Sequence, residues 1–302
     1  MAATGADWGI CTTVKAPKDQ VLAFVAHHLG LGAARIWLHF DDPDDGAHDA
    51  VAGLKRVTAV RCDAAYWRAV VGRRPDKHQN RQSRNMQRVY GLDALPWVAH
   101  IDVDEFLWTD HDIGALLDAV APDQPMMRMA PWEALHDPDL PDDIFTAGQF
   151  RGALRGPQAD AARRAVFGRF AALLPSGVLS HAAGKCFFRT GLARFEPRLH
   201  GAFRAGVRVP GGPFCAEIAL LHFHAEDPAR WKDRLAFRLT RGAYQYNPDL
   251  QAWLLAADAA MIDGFYRNVQ QPATKTLATL RDLGILIEAD LGLRAKVAAL
   301  RR

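Results

Sequence analysis

Near the start of the chain, the hydrophobic and polar positions first follow a strand-like pattern and then helical spacing. An apolar, β-prone run covers residues 8–14, and apolar positions recur at helical spacing from Gln20 until they end in glycines. Residues 34–40, a mostly apolar run, then read as a buried strand. A strand, a helix and a strand in this order predict a βαβ unit, and therefore a parallel sheet.

The same alternation continues along most of the chain. Further strands are predicted at residues 56–62, 96–108, 125–132, 184–189, 205–209 and 215–224. Helices are predicted at residues 79–95 and 112–120, and loops with short helical pieces at residues 136–184. From Pro228 the pattern is helical, with breaks near Pro248 and Pro272. We therefore expect one α/β domain over residues 1–245 and a helical C-terminal extension over residues 246–302, packed on the same domain.

Composition narrows the protein class without indicating a particular chemistry. Of the 302 residues, 49% are hydrophobic and 24% are charged, which is ordinary for a globular protein. The net charge of +3 is too small an excess to indicate nucleic-acid binding. The four cysteines have no CxxC spacing, and neither a signal-peptide pattern nor a membrane-length apolar stretch is seen. These features together favour a cytoplasmic location.

Candidate chemistry lies in two acidic clusters that directly follow predicted strands. Residues 41–46 read DDPDDG and residues 101–106 read IDVDEF. For the first cluster alone, a solvated turn is the simpler interpretation, because Asp and Pro are turn formers. In the second, strand alternation would place Asp102 and Asp104 on one face beside a buried strand. Carboxylates in that position need a cation or hydrogen-bond donors, and Mg²⁺ or Mn²⁺ would offset the charge of a departing diphosphate.

At this point the chain resembles the family 2-type and family 92-type glycosyltransferases of the GT-A fold, in the bacterial branch with a D-x-D-E-F signature. The resemblance spans roughly residues 8–240, on the scale of one large domain. Its segments are residues 15–19, 23–46, 97–107 and 184–189, the later His200, and residues 220–224. Two departures stand out. The family's Lys-Asn-Glu is loosened to the segment from Lys15 to Asp19, and Asp42 and Asp44 replace the usual Asn and Ser.

The resemblance implies a GT-A-like fold, with a mostly parallel central sheet flanked by helices, and an inverting reaction that uses Mn²⁺ or Mg²⁺. By this resemblance Asp41 contacts the base or ribose of the donor nucleotide. Asp102 faces the ribose or the metal, and Asp104 is a metal ligand. Glu105 orients Asp104 or touches the sugar, and His222 supplies a further metal ligand, for which a core histidine bonded to the backbone is an equal alternative.

Basic side chains and other acids are weaker candidates. Lys185 and Arg189 share a strand face and are candidates for binding the diphosphate, although a solvated face has the same pattern. An inverting enzyme needs a general base, for which Glu133 is well placed after the strand at 125–132. Asp137 and Asp143 compete for that role. The helical spacing of Arg81, Arg84 and Arg88 is more typical of a solvated helix face than of phosphate contacts.

The sequence thus predicts a metal-dependent glycosyltransferase that moves a sugar from a nucleotide-diphosphate donor to an acceptor hydroxyl. The expected acceptor is a glycan or glycoconjugate in cell-surface polysaccharide synthesis, with no nucleic acid and no transmembrane segment. Peripheral association with a membrane stays open. One alternative is a nucleotidyltransferase acting on sugar phosphates, although residues 12–19 lack the glycine-rich loop usual there. The other is a non-catalytic glycan- or nucleotide-binding protein of the same fold.

Overall fold

A computed structural model describes residues 5–140, 143–225 and 227–300. The strands are β1 (Trp8–Val14), β2 (Arg35–Phe40), β3 (Val57–Arg61), β4 (Trp97–His100), β5 (Glu105–Trp108), β6 (Met126–Ala134), β7 (Gln149–Gly152), β8 (Lys185–Arg189), β9 (Phe195–Arg198), β10 (Gly201–Arg204), β11 (Val207–Arg208), β12 (Phe214–His222) and β13 (Leu286–Glu288).

Helices alternate with these strands in the first part of the chain and predominate in the last. They are α1 (Lys18–Gly30), α2 (Ala47–Val51), α3 (Ala64–Val71), α4 (His78–Tyr90), α5 (Ile113–Asp118), α6 (Asp143–Thr146), α7 (Ala159–Phe167), α8 (Pro228–Asp233), α9 (Leu235–Thr240), α10 (Pro248–Ala256), α11 (Ala259–Gln270), α12 (Thr274–Asp282) and α13 (Leu293–Leu300). Two 3₁₀ helices lie at Gly168–Leu173 and Ala243–Tyr246. Among the residues that the structure describes, no helix has both the length and the apolar character that crossing a membrane requires.

The chain divides into two compact units. Unit 1 comprises Met1–Ala130, Gly184–Leu220 and Leu293–Arg302, and unit 2 comprises Pro131–Ala183 and Leu221–Gly292. Each unit has its own hydrophobic cluster. The cluster of unit 1 includes Trp37 and Phe188, and that of unit 2 includes Trp231 and Phe265.

The sheet of unit 1 is mixed. β3, β2, β1 and β4 are neighbours in this order, and each adjacent pair is parallel. β8 then runs antiparallel to β4, and the first part of β6 runs antiparallel to β8. The expectation of a mostly parallel sheet is therefore wrong. Hydrophobic periodicity indicates where a strand lies but not its direction. The antiparallel pairing of β8 with β4 could therefore not be predicted from the pattern.

The predicted strand over residues 96–108 is interrupted at the acids. β4 ends at His100, a turn covers residues 103 and 104, and β5 begins at Glu105. The Glu105 N–H donates to the Asp102 carbonyl at 3.0 Å, which closes this turn. Asp102 and Asp104 are therefore not alternate positions of one strand. Their relative direction is set by the turn and not by strand alternation.

Unit 2 contains a small antiparallel arrangement and most of the helices. The end of β6 pairs with β7, and β7 pairs with β13. β7 lies in the region for which the sequence predicted only loops and short helices. α7 and the 3₁₀ helix at Gly168–Leu173 agree with that expectation.

Candidate functional site

The topology of unit 1 creates a crevice where the order of its parallel strands reverses. From β1 the chain proceeds to β2 and β3 on one side, and β4 is the neighbour of β1 on the other side. In open α/β sheets, ligands bind beyond the carboxyl ends of the strands at such a switch point. Asp41 directly follows β2, and its N–H donates to the Val14 carbonyl at 3.0 Å. Asp102 lies two residues beyond β4, so both predicted acids lie at the edge of the sheet where a ligand is expected.

Asp41 is a buried carboxylate held by two arginines. Arg81 makes a bidentate contact, with Nε 2.6 Å from Oδ1 and Nη2 2.8 Å from Oδ2. Arg74 Nη2 donates to Oδ1 at 3.0 Å. Burial opposes the charged form, but the hydrogen bonds and positive charge of Arg81 and Arg74 hold the pKa of Asp41 below its ordinary value. Asp41 is therefore ionised and fixed in orientation.

Asp102 contacts an ammonium and an amide. Lys185 Nζ lies 2.6 Å from Asp102 Oδ2, and Gln82 Nε2 donates to Oδ1 at 2.5 Å. Glu105, which is fully buried, accepts from the Asp102 N–H at 2.7 Å and lies 3.6 Å from Lys185 Nζ. Burial of Lys185 works against its charge, but the carboxylates of Asp102, Glu105 and Asp104 raise its pKa above the ordinary value. The predicted acids thus surround a buried, charged lysine.

Gly184 allows this lysine to enter the site. Its φ is +69°, in the region that favours glycine. A Cβ atom at this position would lie 2.1 Å from the Met129 carbonyl oxygen. The start of β8 can approach β6 this closely because residue 184 has no side chain, and Lys185 follows directly.

The first turns of α4 connect the two acids. Arg81 binds Asp41, and the next residue, Gln82, binds Asp102. His78, at the start of the same helix, has a lowered pKa, mainly through burial, and it also experiences the charges of Asp102 and Asp41. The sequence-based interpretation of Arg81 as part of a solvated face is wrong, because this residue is only 8% exposed. Its burial could not be inferred from a helix as polar as residues 78–88.

A cavity of about 620 Å³ lies beside Asp41, at the carboxyl ends of β1, β2 and β3. Its walls carry both signs of charge and come from the ends of these strands and from the loop after α3. They include Lys15, Asp41, Asp63, Arg68, Arg73 and Arg74. The volume is within the range of small-molecule sites in proteins, which is about 300–1,000 Å³. Most of these basic residues come from the loop and helix after β3, which the sequence-based site did not include.

The predicted metal site provides only part of a ligand set in the structure. Among residues 5–140, 143–225 and 227–300, no group of three or more His, Cys, Asp or Glu side chains comes together as a ready metal cage. Asp102 and the half-buried Asp104 offer carboxylate oxygens, which are the ligands that Mg²⁺ and Mn²⁺ prefer. Mg²⁺ is commonly held by one or two carboxylates with water and substrate phosphates. Both oxygens of Asp102 already have partners, Gln82 on Oδ1 and Lys185 on Oδ2, so an ion here would have to take most of its ligands from water or phosphate.

Glu133 lies in unit 2, in an environment typical of a structural ion pair. Its Oε2 atom is 2.9 Å from Arg151 Nη2, and both side chains are 1% exposed. The N–H groups of Leu179 and Ser180 also donate to this carboxylate. Burial disfavours its charge, but Arg151 and these donors hold the pKa of Glu133 below the ordinary value. A general base needs access to a substrate proton and a pKa near the working pH, and this environment favours neither.

The other predicted residues lie in varied surroundings. His222 ends β12 in unit 2, with its ring centroid 5.3 Å from that of His224 and 5.9 Å from that of His181. Arg189 lies at the opposite end of β8 from Lys185 and stacks on Trp97 at 4.4 Å, so the two do not bind one diphosphate together. Asp137 is exposed, and the side chain of Asp143 lies outside the described part of the chain.

Comparisons with known proteins leave this site without an assigned activity. No protein-family model matches the chain, and no curated protein is significantly similar to it. Among solved structures, one reported as the crystal structure of a mycobacterial protein superposes with a TM-score of 0.38 at 14% identity. The match covers 85% of this chain and 78% of that chain. A similarity of this size identifies neither a family nor an activity.

Proposed function

We propose that this chain is a glycosyltransferase of GT-A-like architecture that takes its sugar from a nucleotide-diphosphate donor. In this proposal the donor binds at the carboxyl ends of β1, β2 and β4, and the acceptor is a hydroxyl group of a glycan or glycoconjugate. The observation that carries the proposal is the connection made by α4. It holds Asp41 and Asp102 through adjacent residues, and Asp41 lines a cavity whose volume is in the range of small-molecule sites.

The charges around the crevice suit a nucleoside diphosphate. Lys15, Arg68, Arg73 and Arg74 line the cavity and would attract the phosphates. Asp41 is an acceptor fixed by Arg81 and would orient a ribose or base that donates to it. Preorganised groups of this kind lose little free energy in ordering when the ligand arrives.

Lys185 supports the proposed reaction through its position. Its ammonium is buried against Asp102 and would offer a fixed positive charge to the departing diphosphate. Asp102 and Asp104 would hold Mn²⁺ or Mg²⁺, which when bound supplies further neutralisation of the leaving group. Glu105 holds the backbone of Asp102 and so positions this carboxylate.

The proposal is tested by thermal unfolding of the full chain with nucleoside diphosphates, with and without Mn²⁺. A ligand that binds the folded state stabilises it by about 2.7 kcal/mol at 100 times its Kd. We expect selective, Mn²⁺-dependent stabilisation that is lost in Asp104→Ala. The exposed Asp110 provides the matched control, and Asp110→Ala should respond as the wild type does.

The outcomes separate the proposal from its alternatives. Sugar-nucleotide hydrolysis that requires Mn²⁺ supports the transferase, whereas nucleotide binding without turnover of any donor identifies a non-catalytic binding protein. Release of pyrophosphate from a nucleoside triphosphate and a sugar phosphate identifies a nucleotidyltransferase. If no nucleotide stabilises the protein, or if Asp104→Ala is stabilised as strongly as the wild type, the assignment of the site is wrong.

A further inference from the structure

A second cavity in unit 1 is formed by residues other than the acids of the candidate site. Its volume is about 900 Å³, and it lies between the start of β6, the loop that leads into β12, and the small sheet of β9, β10 and β11. Its walls include Arg128, Arg194, Arg204 and Arg208, together with the carboxylate of Asp123. Positive charge therefore exceeds negative charge around this space.

Most of these arginines lack an acidic partner. Within the described residues, none of Arg194, Arg204 and Arg208 forms an ion pair with a carboxylate, and all three are exposed. In the same small sheet, by contrast, Arg198 pairs with Glu196 at 2.7 Å. Guanidinium groups that face one cavity and outnumber its carboxylates repel one another, and a ligand with several negative charges relieves that repulsion.

Arg128 is held in a fixed orientation at the wall of the cavity. Its Nη1 atom donates to the Gly212 carbonyl at 2.9 Å, and its Cζ atom lies 4.0 Å from the ring centroid of Phe214. A Cβ atom added at Gly211 would lie 3.1 Å from Nη1, so the loop packs closely against this guanidinium. Arg128 and Arg208 also line an adjoining cavity of about 270 Å³, which extends the binding surface.

Apolar groups complete the walls and indicate an organic ligand. Val207, which is 71% exposed, lines the cavity together with Pro210 and Pro213. Such groups suit the C–H faces of sugar rings, which an inorganic anion does not have. The volume matches small-molecule sites, and the modest net charge of the chain does not favour a nucleic-acid surface.

From these observations we infer that this cavity binds an acidic oligosaccharide, a short glycan whose sugar units carry carboxylate groups. The arginines bind the carboxylates, and the residues of the loop and of β11 contact the rings. None of Asp41, Asp102, Asp104, Glu105 and Lys185 lines this cavity, so binding here is independent of the proposed transfer reaction.

The test is calorimetric titration of the full chain with trigalacturonate as the probe and neutral maltotriose as its length-matched control. We expect trigalacturonate to bind, more weakly at about 0.15 M ionic strength than at low salt, and maltotriose not to bind. The double variant Arg204→Gln/Arg208→Gln should weaken binding at least about tenfold. The control Arg164→Gln/Arg267→Gln removes the same charge from exposed positions that do not line the cavity and should bind as the wild type does.

Several results would overturn the inference. Equal affinities in the two double variants, or no binding of trigalacturonate to the wild type, would each do so. If pyrophosphate or a short RNA bound more tightly than trigalacturonate, the ligand of the cavity would be a different anion and not a glycan. If the cavity double variant unfolds, Arg194→Gln provides the same test with a single charge, and unchanged affinity in this variant would count against the site.

Discussion

Two predicted acids, Asp102 in unit 1 and Glu133 in unit 2, each contact a buried cation. They differ in how far the acid side chain itself is exposed to solvent. The side chains of Glu133 and Arg151 are both 1% exposed, and backbone N–H groups complete the contacts of the glutamate. Asp102 contacts the buried Lys185, but its own side chain is 27% exposed. In a closed ion pair both partners are buried and make their hydrogen bonds within the protein. An ion pair with one accessible partner can exchange contacts with a ligand. This difference, and not the presence of the acid, separates a structural carboxylate from a candidate binding carboxylate.

The largest expected effect comes from removing the cation of the closed pair. Arg151→Met leaves the Glu133 carboxylate buried without its counter-charge, and we expect the free energy of unfolding to fall by about 3–5 kcal/mol. Urea unfolding of the full chain measures this change. The exposed Arg164 is the matched control, and Arg164→Gln should change stability by no more than about 0.5 kcal/mol. A loss below about 1 kcal/mol in Arg151→Met would show that the pair is not closed.

Removing Lys185, the cation that Asp102 contacts, should lower the free energy of unfolding less than Arg151→Met does. It should weaken nucleotide binding more. In Lys185→Met we expect a loss of about 1–3 kcal/mol, because water still reaches Asp102 although Glu105 stays buried. Stabilisation by a nucleoside diphosphate should disappear as well. In the double variant Lys185→Met/Asp102→Asn, part of the lost stability should return, since the uncompensated charge is removed too. If stability and nucleotide response both match the wild type, Lys185 has no role in the site.

The smallest expected effect is on how the free energy of unfolding depends on pH in the acidic range. The native pKa of Glu133 is lower than that in the unfolded chain, where a glutamate titrates near about 4.3. The unfolded state therefore binds more protons in that range, and the stabilisation is present above this pH and lost as pH falls through the native pKa. Urea unfolding between about pH 6 and pH 3 should show a shallower loss of stability in Glu133→Gln than in the wild type. The exposed Asp282 is the control: the slope of Asp282→Asn should match that of the wild type. Equal slopes in all three proteins would contradict the native ion pair.

Much of the local structure of unit 1 follows from the sequence, whereas the partners of the acids do not. Alternating strand and helix periods predict β1, α1 and β2, and they place Asp41 just beyond a strand, whereas Asp102 falls within a predicted strand that in the structure ends at His100. The contact of Lys185 with Asp102 joins residues 83 positions apart, and that of Arg81 with Asp41 joins residues 40 apart. Hydrophobic periodicity carries no information on such pairings. It also cannot distinguish a continuous strand from one broken by the turn at residues 103 and 104, because both have the same apolar flanks.

Arg81 and Gln82 are neighbours in sequence, so the distance between their Cα atoms does not depend on how the sheet packs. Their Cα atoms are about 3.8 Å apart across one peptide bond, whatever the separation of β2 and β4. The two acids, which follow different strands, are therefore held by donors whose spacing is covalent. The contacts at Asp41 and Asp102 are thus joined through a single peptide bond, and a ligand that moved Arg81 would act on the residue that also holds Asp102.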